Sequence, residues 1–234
     1  MKTVAAILRA AHVLEFDRFK TFAVSYLEDK WPGDFAKFNG GIMKHAADAA
    51  KLARQYGVNS ALKRTFYELV RTDLFDQYTD SDEGNHNEVR TLPAHYTWFV
   101  NTREELVEFW MRKAIPPKEN TCVSPKESKA NNHCAITRSR VHVLYRGMIH
   151  NSGIFLRYRH DPMVGLQALI DAPWVVGEGW PSTYTQDLPI VNKVDGHLCV
   201  ECANRWRAMW NKEKEELWNN LDDWFGLAEL IAKP

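Results

Sequence analysis

The sequence predicts a mainly α-helical protein, with antiparallel helix pairs followed by a helical C-terminal region that ends in one long helix. Three observations carry this expectation. Apolar residues recur at spacings of three and four, Gly and Pro fall at the ends of those stripes, and capping residues such as Asp17, Ser60 and Asp161 precede several of them. With 234 residues, 45% hydrophobic and 26% charged, the chain can form one large domain or two small ones and is not disordered throughout.

Val4, Ile7, Leu8 and Ala11 make the first stripe. Asp17 is placed to cap a second helix whose Phe19, Phe22, Ala23, Tyr26 and Leu27 face one way, and Trp31-Pro32-Gly33 stops it. After Asn39-Gly40-Gly41, a third stripe runs from Ile42 through Ala46, Ala49, Leu52 and Ala53 to Tyr56, with Gly57 at a left-handed cap position. Ser60 is placed to cap a fourth, with Leu62, Phe66, Leu69 and Val70 inside. Residues 1–78 therefore form one helical region, and the polar, acidic stretch that follows makes 79–101 a loop or linker.

Residues 102–234 form the second helical region and hold all four cysteines. Thr102 with Glu105 matches a capping box ahead of Leu106, Phe109 and Trp110, predicting a helix from Arg103 to about Lys113. Val141, Leu144, Tyr145, Met148 and Ile149 make the next stripe, stopped near Asn151-Ser152-Gly153. Asp161-Pro162 supplies a cap and a first-turn proline. The segment 174–194 reads as irregular, with room for a short strand pair. The last helix, Glu201 to Phe225, carries Trp206, Trp210, Leu217, Leu221 and Trp224, and Gly226 caps it.

Thirty basic residues balance thirty acidic ones, which argues against the net field that draws a protein onto nucleic acid or an anionic membrane. No run of about 18 uncharged apolar residues is present, so no membrane span is expected. Met1 to Leu14 is interrupted by Arg9 and His12 and reads as a packed helix, not a signal peptide. Four cysteines are too few for a disulfide scaffold and fit a reducing, intracellular compartment.

Cys199-Val-Glu-Cys202 opens the last helix, and two intervening residues let both sulfurs reach one ion. Cys122 and Cys134 can complete a tetrahedral zinc site, with His133 and His197 as nearby substitutes. Two other readings stand beside this one: unrelated buried thiols, and redox chemistry, for which the helical surroundings are unsuited. Four protein thiolates would leave no position for water or substrate, which marks a structural site. The tryptophans fit either a core or a ligand groove, and Trp218 falls off the main stripe. A nucleophile elbow, a phosphate loop, a His-Glu-x-x-His helix and a dinucleotide fingerprint are all absent, and His86 and His95 stand isolated.

Several segments resemble one family. Residues 5–16, Tyr26-Leu27-Glu28-Asp29-Lys30-Trp31-Pro32, Ala53-Arg54-Gln55-Tyr56-Gly57-Val58 and residues 62–69 are similar to the region after the BTB/POZ core in fungal BTB-domain proteins, particularly those of mushroom-forming fungi. Asp161-Pro162 with Gly165-Leu166, the Cys199/Cys202 pair and residues 217–227 resemble the tail of the same proteins. The resemblance implies a BACK-like helical extension and a non-enzymatic interaction protein. Met1 falls just before the post-core helices, so the BTB core is expected to be missing, and self-association and cullin binding through it are not carried over. The expected function is therefore a protein-binding adaptor scaffold with structural cysteines, meeting partners through exposed helix faces or the acidic loop at 80–83. The alternative is a zinc-stabilised nucleic-acid or transcriptional module using Arg138, Arg140, Arg157, Arg159, Arg205 and Arg207.

Overall fold

Stripes with a period near 3.6 must bury their apolar side against neighbouring elements, and here those are other helices, in two units. A computed structural model describes residues 1–72, 93–118, 122, 134–136, 140–175, 177–180 and 197–232, with only the helical backbone for 93–97. Among the described residues the protein is mainly helical, and its β pairing is one isolated parallel bridge between Cys134 and His197. No helix among them is long and apolar enough to cross a membrane.

The helices are α1 (Lys2–Val13), α2 (Asp17–Lys30), α3 (Ala46–Gln55), α4 (Leu62–Arg71), α5 (Pro93–Met111), α6 (Val141–Tyr145), α7 (Ile154–Arg157), α8 (Pro162–Asp171), α9 (Val200–Trp224) and α10 (Leu227–Ala232). A π-helical turn, Arg146–His150, continues α6. The chain divides into two compact units, residues 1–105 with 218–234, and residues 106–217. This division differs from the composition-based boundaries at 78 and 101, because α5 and α9 each contribute residues to both units.

In the first unit α1 packs on α2 and α3 on α4. Trp31, Tyr67, Trp218 and Phe225 are fully buried in this unit. Phe66 meets Phe99 and Phe225 edge-on, and Tyr67 and Phe38 both meet Trp218. Trp218, off-stripe by sequence, is buried because its indole N–H donates to the Gly33 carbonyl at 2.8 Å. The α2 stripe is split. Ala23 and Leu27 are buried, while Phe19, Phe22 and Tyr26 stay exposed. Ser60 lies in a 3-10 turn, Asn59–Ala61, and donates to Glu28 instead of capping α4. Residues 93–101, expected as loop, are helical, since α5 starts at Pro93, a residue suited to the first helical turn. Thr102 is therefore inside α5, and its hydroxyl donates to the Trp224 carbonyl at 3.0 Å.

Sequence patterning did not reveal the ion network on α4. Arg64, Glu68 and Arg71 follow one another at spacings of four and three, which places all three on one face. Their side chains are buried. Glu68 Oε1 lies 2.7 Å from Arg64 Nη2 and 2.8 Å from Arg71 Nη2, while Oε2 accepts from the Met43 N–H at 3.1 Å. Two guanidiniums against one carboxylate leave one positive charge in excess, and nearby carbonyls take it up. Arg64 donates to the Gly41 carbonyl at 3.1 Å and Arg71 to the Gly40 carbonyl at 2.9 Å, and the Phe38 ring lies 4.3 Å from the Arg64 guanidinium. The network thus holds the 39–43 loop onto α4.

The second unit is built around indoles. Trp174 packs against Trp206 at 5.2 Å and Trp210 at 5.4 Å between ring centres, and Tyr145 stacks on Trp174. Three of the buried polar edges have carbonyl partners: Trp174 Nε1 donates to Leu169 at 2.7 Å, Trp110 Nε1 to Phe155 at 2.7 Å, and the Tyr145 hydroxyl to Lys113 at 2.6 Å. Asp161 caps α8 as its position predicts, accepting from the Val164 N–H at 3.3 Å. Gly165 has no side chain for a direct reason. A Cβ there would lie 2.6 Å from the Trp110 ring.

Glu68→Gln is predicted to lower the urea-unfolding free energy by about 3 kcal/mol or more, because two buried guanidiniums lose their counter-charge. Gly165→Ala is predicted to cost about 1–3 kcal/mol through displacement of Trp110, with a change in near-ultraviolet circular dichroism.

Candidate metal centre

The first turn of a helix has backbone N–H groups that no helical carbonyl takes, so a sulfur placed there is drawn towards its anionic form. Cys199 and Cys202 occupy this position on α9. The Cys199 carbonyl accepts from the Ala203 N–H at 3.0 Å, closing the first helical bond, and the spacing of three brings both sulfurs to the same side of the turn. The residues just before them are fixed from two directions. Ala135 N–H donates to the His197 carbonyl at 2.7 Å, and Leu198 N–H donates to the Trp174 carbonyl at 2.7 Å. The first contact belongs to the Cys134–His197 bridge, which delivers Cys134 to the α9 pair.

Cys122 completes the group. Its Sγ lies 3.5 Å from that of Cys199 and 3.7 Å from that of Cys202, and all four sulfurs fall within 4.8 Å of one another. None is in a disulfide, the separations being far beyond the roughly 2.05 Å of an S–S bond. Four sulfurs bonded to one ion at about 2.3 Å stand about 3.8 Å apart along the edges of a tetrahedron. The two contacts of 3.5 and 3.7 Å match that edge. Cys134 and Cys202 are buried, and Cys122 and Cys199 are half-buried. The group can hold a metal ion.

Electrostatics alone do not favour four thiolates side by side. Burial pushes the Cys199 thiol up to about 11, the Cys202 backbone N–H and thiol oppose this, and Cys122 and Cys134 add to it. A bound cation reverses the balance by giving every thiolate a counter-charge, and its binding releases protons.

All four cysteines named from the sequence are thus brought together. His197 takes part through its backbone, and its ring is not among the converging groups. His133 lies outside the described residues, as do Arg138, the acidic residues 80–83 and His86, and for His95 only the backbone is described. Arg207 is committed within the second unit, donating to the Ile170 carbonyl at 3.0 Å and to Glu178 at 2.7 Å. A separate cleft of about 490 Å³ lies beside residues 114–116 and the face bearing His142, Arg146 and His150. The sequence signal for it, basic residues at spacings of four, was present but is shared with many solvated helices.

Comparison with family models, with curated proteins and with solved structures returns no match.

Cobalt(II) titration of the reduced protein is predicted to give the intense visible bands of a tetrahedral thiolate complex, saturating at one ion per chain. The same addition should protect all four thiols from alkylation. Cys202→Ser should weaken binding by a factor of about ten or more, read by competition with a chelating dye.

Proposed function

We propose that the chain is a non-catalytic, helical protein-interaction scaffold whose 106–217 unit is closed by a structural zinc ion on Cys122, Cys134, Cys199 and Cys202. The observation that carries the proposal is the convergence of all four sulfurs within 4.8 Å. An all-thiolate set suits zinc because the ion is borderline-soft, has no redox chemistry of its own and takes four ligands without directional preference. With four protein ligands the coordination sphere is full, so the ion holds chain segments together and offers no place to a substrate. The start of α9 offsets part of the negative charge that four thiolates bring to one divalent cation.

The adaptor role is supported by the likeness to the helices and tail that follow the BTB/POZ core in fungal BTB proteins, with α1–α4 as the BACK-like part. Such a protein works in a reducing, intracellular setting, where thiols remain available to metal. Its partners are proteins, met through exposed helix faces. Nucleic acid is not the expected partner, since the charges balance and Arg207 is used internally.

Protein purified without added metal is expected to carry one zinc per chain, and a strong chelator is expected to lower the melting temperature. Cadmium should restore the transition as well as zinc does, because a closed thiolate site requires only geometry and softness. Azide added to the cobalt form should leave its spectrum unchanged. A spectral shift with azide would mean an open coordination position and would reject the structural role.

A further inference from the structure

The α1–α2 hairpin carries an apolar surface that the described residues leave exposed, apart from Lys30 Nζ 5.8 Å from the Tyr26 ring centre. Val13, Leu14 and Phe16 in the turn region, with Phe19, Phe22 and Tyr26 on α2, are between 39% and 77% exposed. Aromatic side chains bury roughly 150–250 Å² each when covered, so the four aromatic residues at this exposure offer roughly 300–500 Å², to which Val13 and Leu14 add. The largest apolar patch on a typical monomer is about 300–600 Å², whereas one partner of a standard interface contributes about 800 Å². The area therefore fits one half of a small, specific interface.

The charges beside the stripe identify the other half. At about 100° per residue, Phe19, Phe22 and Tyr26 fall on one line, and Arg18 and Asp29 fall on the same flank of it, within roughly 20° of each other. Both are exposed, and neither makes a hydrogen bond or ion pair with the described residues. One is cationic and near the start of α2, the other anionic and near its end. We propose that two copies of this chain associate through antiparallel pairing of α2, with Phe19 of each against Tyr26 of the other and Arg18 of each against Asp29 of the other.

A two-fold axis across the helix sets each flank against itself in reverse direction, so one charge pair is made twice, as isologous association requires. The aromatic and charged pairings differ by two residues of register, an axial offset of about 3 Å that an arginine side chain spans. Antiparallel alignment also sets the positive end of one helix dipole beside the negative end of the other. The proposal involves only the first unit and does not rest on the metal reading.

Sedimentation equilibrium on the full, metal-loaded chain tests it. The expected result is a reversible dimer of twice 27.1 kDa. Phe22→Glu, at an exposed position, should give monomer with unchanged circular dichroism. Arg18→Asp and Asp29→Arg should each weaken the dimer about tenfold, since like charges then meet twice, and the double swap should restore it. A monomer at every concentration would overturn the proposal and leave the stripe to some other occupant. A dimer indifferent to Phe22→Glu, or single swaps without effect, would overturn it as well.

Discussion

Four sulfurs held in contact without a covalent bond form the constraint around which the second unit is organised. The α9 pair comes from the first turn of a helix, Cys134 arrives through a two-residue bridge, and Cys122 comes from a segment more than seventy residues upstream of the pair. Bringing such segments together costs loop-closure entropy that short polar contacts do not recover. An ion bound by all four offsets that cost at a single point. The indole core then begins one turn beyond Cys202, with Trp206 and Trp210 packed on Trp174.

The first unit solves its closure problem differently. Its α4 helix is buried over nearly every residue, polar ones included. A helix buried all round has no wet face on which to leave its charges, so Arg64, Glu68 and Arg71 must satisfy one another and the carbonyls of a glycine-rich loop. Gly40 takes a left-handed backbone conformation (φ 69°) that glycine adopts freely, and the Gly40 and Gly41 carbonyls reach the guanidiniums. Specificity of loop position, more than net stability, is what such a buried triad supplies.

Much of this was legible in the chain as written, and the departures have physical causes. Helices Lys2–Val13, Ala46–Gln55 and Pro162–Asp171 follow from their stripes, although Ile42, expected to open the third stripe, precedes its helix and stays exposed, and Gly57 and Gly226 adopt the left-handed conformations their positions imply. Cys199 and Cys202 could be named because a Cys-x-x-Cys pair at a helix start is an uncommon pattern, and Cys122 and Cys134 because they are the only other cysteines in the chain. What periodicity could not supply was which stripe residues meet a neighbour: α2 presents a wider apolar arc than its surroundings cover, so Phe19, Phe22 and Tyr26 remain in water. Thr102 was misread because a capping box inside a longer helix has the same letters as one at its start, and only the tertiary bond to Trp224 distinguishes them. The α4 triad went unnoticed because i, i+4 charge pairs usually signal solvent.

The spacing between Cys202 and Trp206 has a further consequence. One helical turn separates a sulfur of the four-cysteine group from an indole in face-to-edge contact with Trp174 and Trp210, and Tyr145 joins the same cluster. Any loosening of the amino end of α9 is therefore transmitted directly to chromophores. Ultraviolet emission from the unmodified protein is in that sense an internal gauge of whether its sulfur clasp is fastened, and it needs no dye or label.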